Sequence, residues 1–172
     1  MSDAQSTTDV SAKPNMAAAY GAIVKVAMVL LVIVEVAGYI YAGFFGLLAR
    51  DAIETLLAAA QFSDVLAIEN SLLGLTLAPF TYGLLAAIGP LIGWWIYSRI
   101  DKPQQSMVGW GSATLFAVSY VLIGLVVQGA LGRLTAVFDV LATVIGLALI
   151  VVYTVFFMGI GFNIAKLFRL KL

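Results

Sequence analysis

The sequence predicts an all-α, polytopic integral membrane protein in which four transmembrane helices form a bundle. Of its 172 residues, 63% are hydrophobic and 10% are charged, and the mean hydropathy is +1.08. Soluble domains carry roughly 25% charged residues, and a fold of this size in water could not hide so much apolar surface. The apolar residues also fall into four runs, each near the length of about 20 residues that a membrane helix requires.

The four runs follow a polar N-terminal segment. Residues 1–15 are polar and contain Pro14, so we expect a disordered cytoplasmic tail followed by a single transmembrane domain over residues 16–172. The apolar run after the tail is too long for a cleavable signal peptide, so it is expected to remain as a membrane anchor. The predicted spans cover approximately residues 20–48, 72–97, 107–130 and 141–167.

The start of the second span is open to more than one interpretation. Pro79 and Pro90 lie within it, and Pro79 would suit the first turn of a shorter helix, where a missing N–H costs nothing. Residues 65–78 therefore either belong to the span, re-enter the membrane or lie at its surface.

The longest loop, residues 50–71, combines charges with apolar residues at helical spacing, which predicts a short amphipathic helix in the first external loop. The apolar positions are Ile53, Leu56, Leu57 and Ala60, and the charged ones are Arg50, Asp51, Glu54, Asp64 and Glu69. The charges indicate either a solvated cap or an acidic vestibule for cations.

The placement of lysine and arginine predicts the orientation. With four spans, one side of the membrane carries Lys13, Lys25, Arg99, Lys102, Lys166, Arg169 and Lys171, whereas the other carries Arg50 and Arg133. Because cytoplasmic loops are enriched in these residues, we expect both termini to be cytoplasmic, with the protein in the plasma (inner) membrane.

The first span contains one carboxylate near its centre, in the segment VLLVIVEVAGYIYAG over residues 29–43. Placing an acid at the centre of a membrane helix costs about 2.5–3.5 kcal/mol, so Glu35 is expected to face protein or to bind a proton or cation. At 100° per residue, Tyr39 shares its side of the helix. The opposite side carries Leu30, Ile33 and Ile40, which are expected to face lipid.

Small residues spaced by four positions predict helix-packing faces, because they let membrane helices approach closely. In the first span these are Gly38, Ala42 and Gly46, on the same side as Glu35; in the second they are Gly83, Ala87, Gly89 and Gly93. Polar residues on other spans are the candidate partners of the carboxylate: Thr81, Tyr82, Tyr120, Gln128, Thr143 and Thr154.

The segment VEVAG, residues 34–38, resembles the first helix of the small multidrug resistance transporters. In that family a membrane-embedded glutamate binds a cation or proton, so the resemblance implies such a role for Glu35. The resemblance covers only about ten residues around this segment. The chain is longer than members of that family, and its loop over residues 50–71 departs from their compact hairpins.

The composition argues against several classes of function. The chain has no histidine and no cysteine, which removes the usual zinc, iron–sulfur and haem ligands and the commonest general base. GWGS at residues 109–112 lacks the spacing of a nucleophile elbow. We therefore expect no enzyme, no metal site and no cofactor. Lys and Arg balance Asp and Glu at 9 each, so nucleic acid is not an expected partner.

Two functions follow from these features. The favoured prediction is a small non-enzymatic membrane protein, an accessory or scaffold subunit that associates through small-residue helix faces. Its partners would be the lipid bilayer and either further copies of itself or other membrane subunits. The alternative is a small proton- or cation-coupled transporter or channel-like protein in which Glu35 is the binding group.

Overall fold

The computed structural model describes residues 16–60, 65–130 and 140–169, with side-chain surroundings over 16–45, 77–127, 129–130, 140 and 143–168. Over the described residues the chain forms four α-helices: α1 (Met16–Ala60), α2 (Val65–Arg99), α3 (Lys102–Ala130) and α4 (Val140–Arg169). The predicted tail over residues 1–15 lies outside this part of the chain.

Each helix contains a stretch long and apolar enough to cross a membrane, which confirms the prediction of four such helices. The stretches are Met16–Phe45, Leu77–Arg99, Lys102–Val127 and Thr143–Phe168. The third begins about one turn earlier than the sequence predicted. Hydropathy does not detect this turn because it is polar, whereas Pro103 suits the first turn of a helix.

The exposed surface of the four helices is largely apolar. Only 22–33% of each apolar stretch is buried within the chain. Large apolar side chains are exposed on every helix; among the most exposed are Phe44, Leu91, Val126 and Leu167. An apolar outer surface of this kind suits contact with lipid, and it is consistent with a membrane protein.

Helices α1 and α2 extend beyond their apolar stretches. Helix α1 has 45 residues, about 67 Å at 1.5 Å per residue, which exceeds the roughly 30 Å of a bilayer core. Residues 50–60, expected in a separate short helix, continue α1 in the backbone, and residues 61–64 lie outside the described part. Residues 65–78 belong to α2, which continues through Pro79 and Pro90.

The helices pack mainly as two parallel pairs, α1 with α3 and α2 with α4. Along α2 and α4, Tyr82 contacts Tyr153 and, further along both helices, Tyr97 contacts Phe162, so the two helices run in the same direction. Helix α3 also packs on α4, and α1 on α2, which closes a ring in the order α1, α3, α4, α2. Over the described residues α1 and α4 make no contact, and the sequence neighbours α2 and α3 touch least.

The main core lies in the half of the bundle that contains the N-terminus of α1. Small residues of α1, Ala19, Ala22 and Ala27, are buried there together with Leu30, and α3 contributes Val108 and Phe116. The small alanines allow α1 to lie close to its neighbours.

The expectation that Leu30 faces lipid is wrong, because Leu30 is 0% exposed. The packed face of α1 is centred on Leu30 and includes Val34, so Glu35 lies at the edge of that face. The alanines one and two turns before Leu30 decide this orientation, since they bring α3 against their own side of the helix. Ile33 and Ile40 are exposed, at 37% and 55%.

The side chain of Gln105 holds the turn between α2 and α3. Its Nε2 donates hydrogen bonds to the carbonyl oxygens of Tyr97, at 3.2 Å, and Ile100, at 2.8 Å. The last turn of a helix leaves carbonyl groups without intrahelical partners, and Gln105 satisfies two of these groups from the first turn of α3. This arrangement fixes Arg99 and Lys102 at the same end of the bundle.

Candidate functional site: the Glu35 cavity

A cavity of about 330 Å³ lies between α1 and α3, beyond the main core and beside the start of the apolar part of α2. We call it the Glu35 cavity. Its lining comprises Val34, Glu35, Gly38, Tyr39 and Ala42 of α1, Leu77 of α2, and Tyr120, Val121, Ile123, Gly124 and Val127 of α3. The carboxylate thus lines a space between helices, at the level where α1 and α3 cease to pack closely.

Glu35 is half-buried, and its neighbour Val34 is buried at 2% exposure. The position follows from the register of α1: Val34 belongs to the packed face, and the next residue is turned by 100° towards the cavity. The carboxylate interacts electrostatically with Tyr120 of α3. Among the candidate partners named from the sequence, Tyr120 is therefore the one that the structure places beside the acid.

Tyr120 connects the carboxylate to further polar groups. Its hydroxyl is hydrogen-bonded to the hydroxyl of Thr81, which is only 7% exposed, and it also interacts electrostatically with Tyr82. The ring of Tyr82 meets that of Tyr153 edge to face, with centroids 4.8 Å apart. Polar residues from all four helices therefore lie in the same region of the bundle: Glu35, Tyr120, Thr81, Tyr82 and Tyr153.

The remaining candidate partners are placed differently. Thr154 is buried, and its hydroxyl donates to the carbonyl oxygen of Ile150, at 2.7 Å, within its own helix. Thr143 is half-buried near the start of α4. The side chain of Gln128 lies outside the described residues. A threonine in a helix often satisfies its hydroxyl on the preceding turn, which explains why Thr154 is not available to a neighbour.

The structure brings Gly89 and Gly93, two of the predicted packing residues, against α4. A Cβ on Gly89 would lie 2.7 Å from the Cβ of Phe157, and one on Gly93 would overlap the carbonyl oxygen of Met158. Gly161 of α4 meets the carbonyl of Pro90 in the same way. At these points the two backbones touch directly, which only glycine allows.

Gly83 and Ala87, predicted to form a similar face on α2, are exposed, and a Cβ on Gly83 would meet nothing within 4 Å. Sequence reasoning did not identify Gly161 or Tyr153. The spacing of Gly159 and Gly161 in an otherwise bulky helix is a signal that could have drawn attention to α4.

On α1, the predicted packing residues line the cavity. A Cβ on Gly38 would meet only the tip of Leu77, at 3.9 Å, and Ala42 is half-buried. Tyr39 is 62% exposed and also lines the cavity. Gly46 lies in α1 beyond the residues whose surroundings are described. The described side chains thus cover the small-residue face of α1 only in part.

The chemistry available in the cavity is that of one carboxyl group beside phenol and threonine hydroxyls. A protonated carboxyl group can donate a hydrogen bond, whereas a carboxylate can accept one or balance a cation. The cavity therefore suits a proton, a cation, or a hydrogen-bond donor that enters with another helix.

Comparison of the chain with protein-family models, with curated proteins and with solved structures finds no match. The function is consequently argued from the geometry of the chain alone.

Proposed function

We propose that the chain is an integral membrane protein of the plasma (inner) membrane whose four helices span the bilayer, with both termini cytoplasmic. The apolar outer surface and the positions of the lysine and arginine residues support this proposal. Arg99, Lys102 and Lys166 lie towards one end of the bundle, the end at which α1 begins. A tag-accessibility map tests the orientation, and termini on opposite sides of the membrane would contradict it.

Within the membrane, we propose that the protein is a non-enzymatic accessory or scaffold subunit. The observation that carries this proposal is that Gly38 and Ala42, the small residues beside Glu35, line a cavity and are not closely packed by the side chains that the structure describes. Close approach of membrane helices through small residues is a common mode of association. A helix from a second copy or from another subunit would complete the face.

Glu35 would give this association its specificity. A carboxyl group at mid-depth in a membrane favours a polar partner, and among the described residues Tyr120 interacts with it electrostatically. A partner helix with a hydrogen-bond donor or acceptor at the same depth would supply a further polar partner. A helix that lacked such a group would leave the carboxyl group unsatisfied, so it would be disfavoured.

A proton- or cation-coupled transporter is the second candidate. The hydrogen-bonded hydroxyls of Tyr120 and Thr81 favour it, because they lead from the carboxyl group of Glu35 into the interior of the bundle. Ionisable residues inside a membrane commonly mark proton and ion pathways. In this reading the cavity receives the cation and Glu35 exchanges it for a proton.

Substitution of Glu35 separates the two functions. Glu35→Gln keeps the hydrogen-bonding capacity and removes the charge, whereas Glu35→Ala removes both. If the protein is a subunit, Glu35→Gln should preserve association, as measured by in-membrane cross-linking, and Glu35→Ala should weaken it. If the protein is a transporter, both variants should abolish proton-linked cation uptake in proteoliposomes, and association should survive.

A matched pair of glycine variants tests the subunit proposal further. Gly38→Leu would obstruct the small-residue face, whereas Gly43→Leu adds the same side chain to an exposed part of α1 where a Cβ meets nothing within 4 Å. We expect Gly38→Leu alone to reduce cross-linking. Equal behaviour of the two variants would contradict association through this face.

A further inference from the structure

We infer that the end of the bundle where α2 and α3 meet is a binding site for an anionic phospholipid. The inference depends on the proposed membrane location, but not on the choice between subunit and transporter. It rests on two adjoining cavities, one polar and one apolar, which together have the amphipathic shape of a lipid.

The polar cavity lies at the turn between α2 and α3 and has a volume of about 230 Å³. Arg99 and Lys102 line it, together with the carboxylate of Asp101 and the hydroxyl of Ser98. On α4, Lys166 lies one helical turn beyond Phe162, which brings a further cation towards the same end. Two cations and one acid line the cavity, which gives it a net positive charge that complements a phosphate group, and Lys166 adds to the positive charge at this end of the bundle.

The apolar cavity begins at the same residues and enters the bundle. We call it the Lys102 cleft: it has a volume of about 300 Å³, shares Lys102 and Gln105 with the polar cavity, and runs between α2, α3 and α4. Deeper in, its walls are apolar, with Ile96, Val155 and Phe162. A volume of this size lies at the lower end of the range of ligand sites.

Glycine residues create the cleft. Gly109 of α3 and Gly159 of α4 line it, and a Cβ on either would meet nothing within 4 Å. The space is therefore open where a side chain would otherwise project. An acyl chain fits an apolar groove of this kind, while its headgroup phosphate lies at Arg99 and Lys102. Ser106, which also lines the cleft, offers a hydroxyl between these two regions.

Hydrogen bonds hold the turn between α2 and α3 in place, which favours a preformed binding site at this end of the bundle. Gln105 is 9% exposed, and its two hydrogen bonds to Tyr97 and Ile100 hold the last turn of α2 against the first turn of α3. The backbone positions of Arg99 and Lys102 are thereby set before any ligand arrives, and a preorganised backbone lowers the entropic cost of binding.

Trp110 lines the cleft and provides a reporter for the experiment. The chain has three tryptophans, so a variant with Trp94→Phe and Trp95→Phe retains Trp110 as the only one. This full-length variant is reconstituted in phosphatidylcholine. Fluorescence quenching is then measured with increasing fractions of brominated phosphatidylglycerol, which is anionic, or brominated phosphatidylcholine, which is zwitterionic and has the same chains.

We expect phosphatidylglycerol to be preferred at the Trp110 site by at least about fivefold, and Lys102→Gln to reduce the preference to about twofold or less. Lys25→Gln is the matched control, because Lys25 lies on α1 beside a different cleft, near Trp95. We expect the preference to survive in that variant. Gly109→Leu, or Gly159→Leu should the first variant fold poorly, should fill the cleft and abolish the saturable quenching.

Three results would overturn the inference. Equal quenching by the two lipids would show that the site has no preference for the anion. An equal effect of Lys25→Gln and Lys102→Gln would indicate general surface charge. Unchanged quenching after the cleft is filled would show that no acyl chain enters it. Absence of quenching by either lipid would instead contradict the membrane location itself.

Discussion

Two helix contacts in this molecule are built in opposite ways. One is the contact between α2 and α4, and the other is the outer half of the contact between α1 and α3. At Gly93 and Gly161 the backbones of α2 and α4 touch, and no atom could be added. Between α1 and α3, beyond Val34, the helices enclose the Glu35 cavity of about 330 Å³. Both regions contain small residues at helical spacing, yet one pair of helices has closed and the other has not.

The polar content of the two regions accounts for the difference. The contact around Gly93 involves backbone carbonyl groups and apolar side chains, which pack to high density without leaving a polar side chain unsatisfied. In the Glu35 cavity a carboxyl group and Tyr120 lie at the interface, and a dry, closed contact would bury them with incomplete hydrogen bonding. Small residues therefore permit two helices to approach closely, whereas the polar groups at the interface decide whether the helices make that close contact.

The largest expected effect is at the closed contact. Gly93→Ala should destabilise the protein by about 2–3 kcal/mol, because the added Cβ overlaps the Met158 carbonyl and the helices must separate. Gly83→Ala adds the same atom to the same helix in open space, so we expect a gain of up to about 1 kcal/mol from helix propensity. Thermal or denaturant unfolding in detergent measures both changes. Similar values for the two variants would contradict the distinction between closed and open faces.

The second-largest loss of stability is expected at the turn between α2 and α3, which joins the two helix pairs. Gln105→Leu should cost about 1–2 kcal/mol, since it removes two hydrogen bonds to the last carbonyl groups of α2. Its neighbour Gln104 is the control, because its buried Nε2 has no partner among the described residues. Gln104→Leu should be neutral or stabilising for that reason. Equal losses in the same unfolding assay would show that the turn is not held by Gln105.

A smaller effect is expected at the hydroxyl pair beside the cavity. Tyr120→Phe should cost about 0.6 kcal/mol, the average for a hydrogen bond between membrane helices, because it removes the bond to Thr81. Tyr39→Phe alters an exposed hydroxyl and should change stability by less than about 0.5 kcal/mol. If Tyr39→Phe proved the more destabilising variant, the polar cluster would have been assigned to the wrong side of α1.

We expect Gly124→Leu to have the smallest effect on stability. It should nevertheless have a large effect on the chemical labelling of Glu35. Gly124 lines the Glu35 cavity, and a Cβ there meets nothing within 4 Å, so the side chain should enter free space at a cost below about 0.5 kcal/mol. Labelling of Glu35 by an apolar carbodiimide, followed by mass spectrometry, should fall several-fold because the cavity is filled. Gly146→Leu on α4, also in open space, should leave the labelling unchanged.

Sequence reasoning located the four apolar helices to within about a turn or so, because hydropathy reports directly on transfer from water to lipid. It also singled out Glu35 and named Tyr120, Thr81 and Tyr82 among its possible partners. It did not choose among these partners, and it placed Leu30 on the wrong face. That choice depends on the rotation of α1, which results from contacts along its whole length and not from the acid alone.

By itself, the amino-acid sequence determined that the chain is apolar, that it forms four long helices and approximately where their apolar stretches lie, since each of these properties is set by neighbouring residues. Only the tertiary structure decided that the helices pair as α1 with α3 and α2 with α4, that Gly161 receives the carbonyl of Pro90, and that a cavity remains beside Glu35. These features depend on shape complementarity between residues far apart in the chain. Small-residue spacing is alike on the closed and the open faces, so this spacing by itself does not distinguish them.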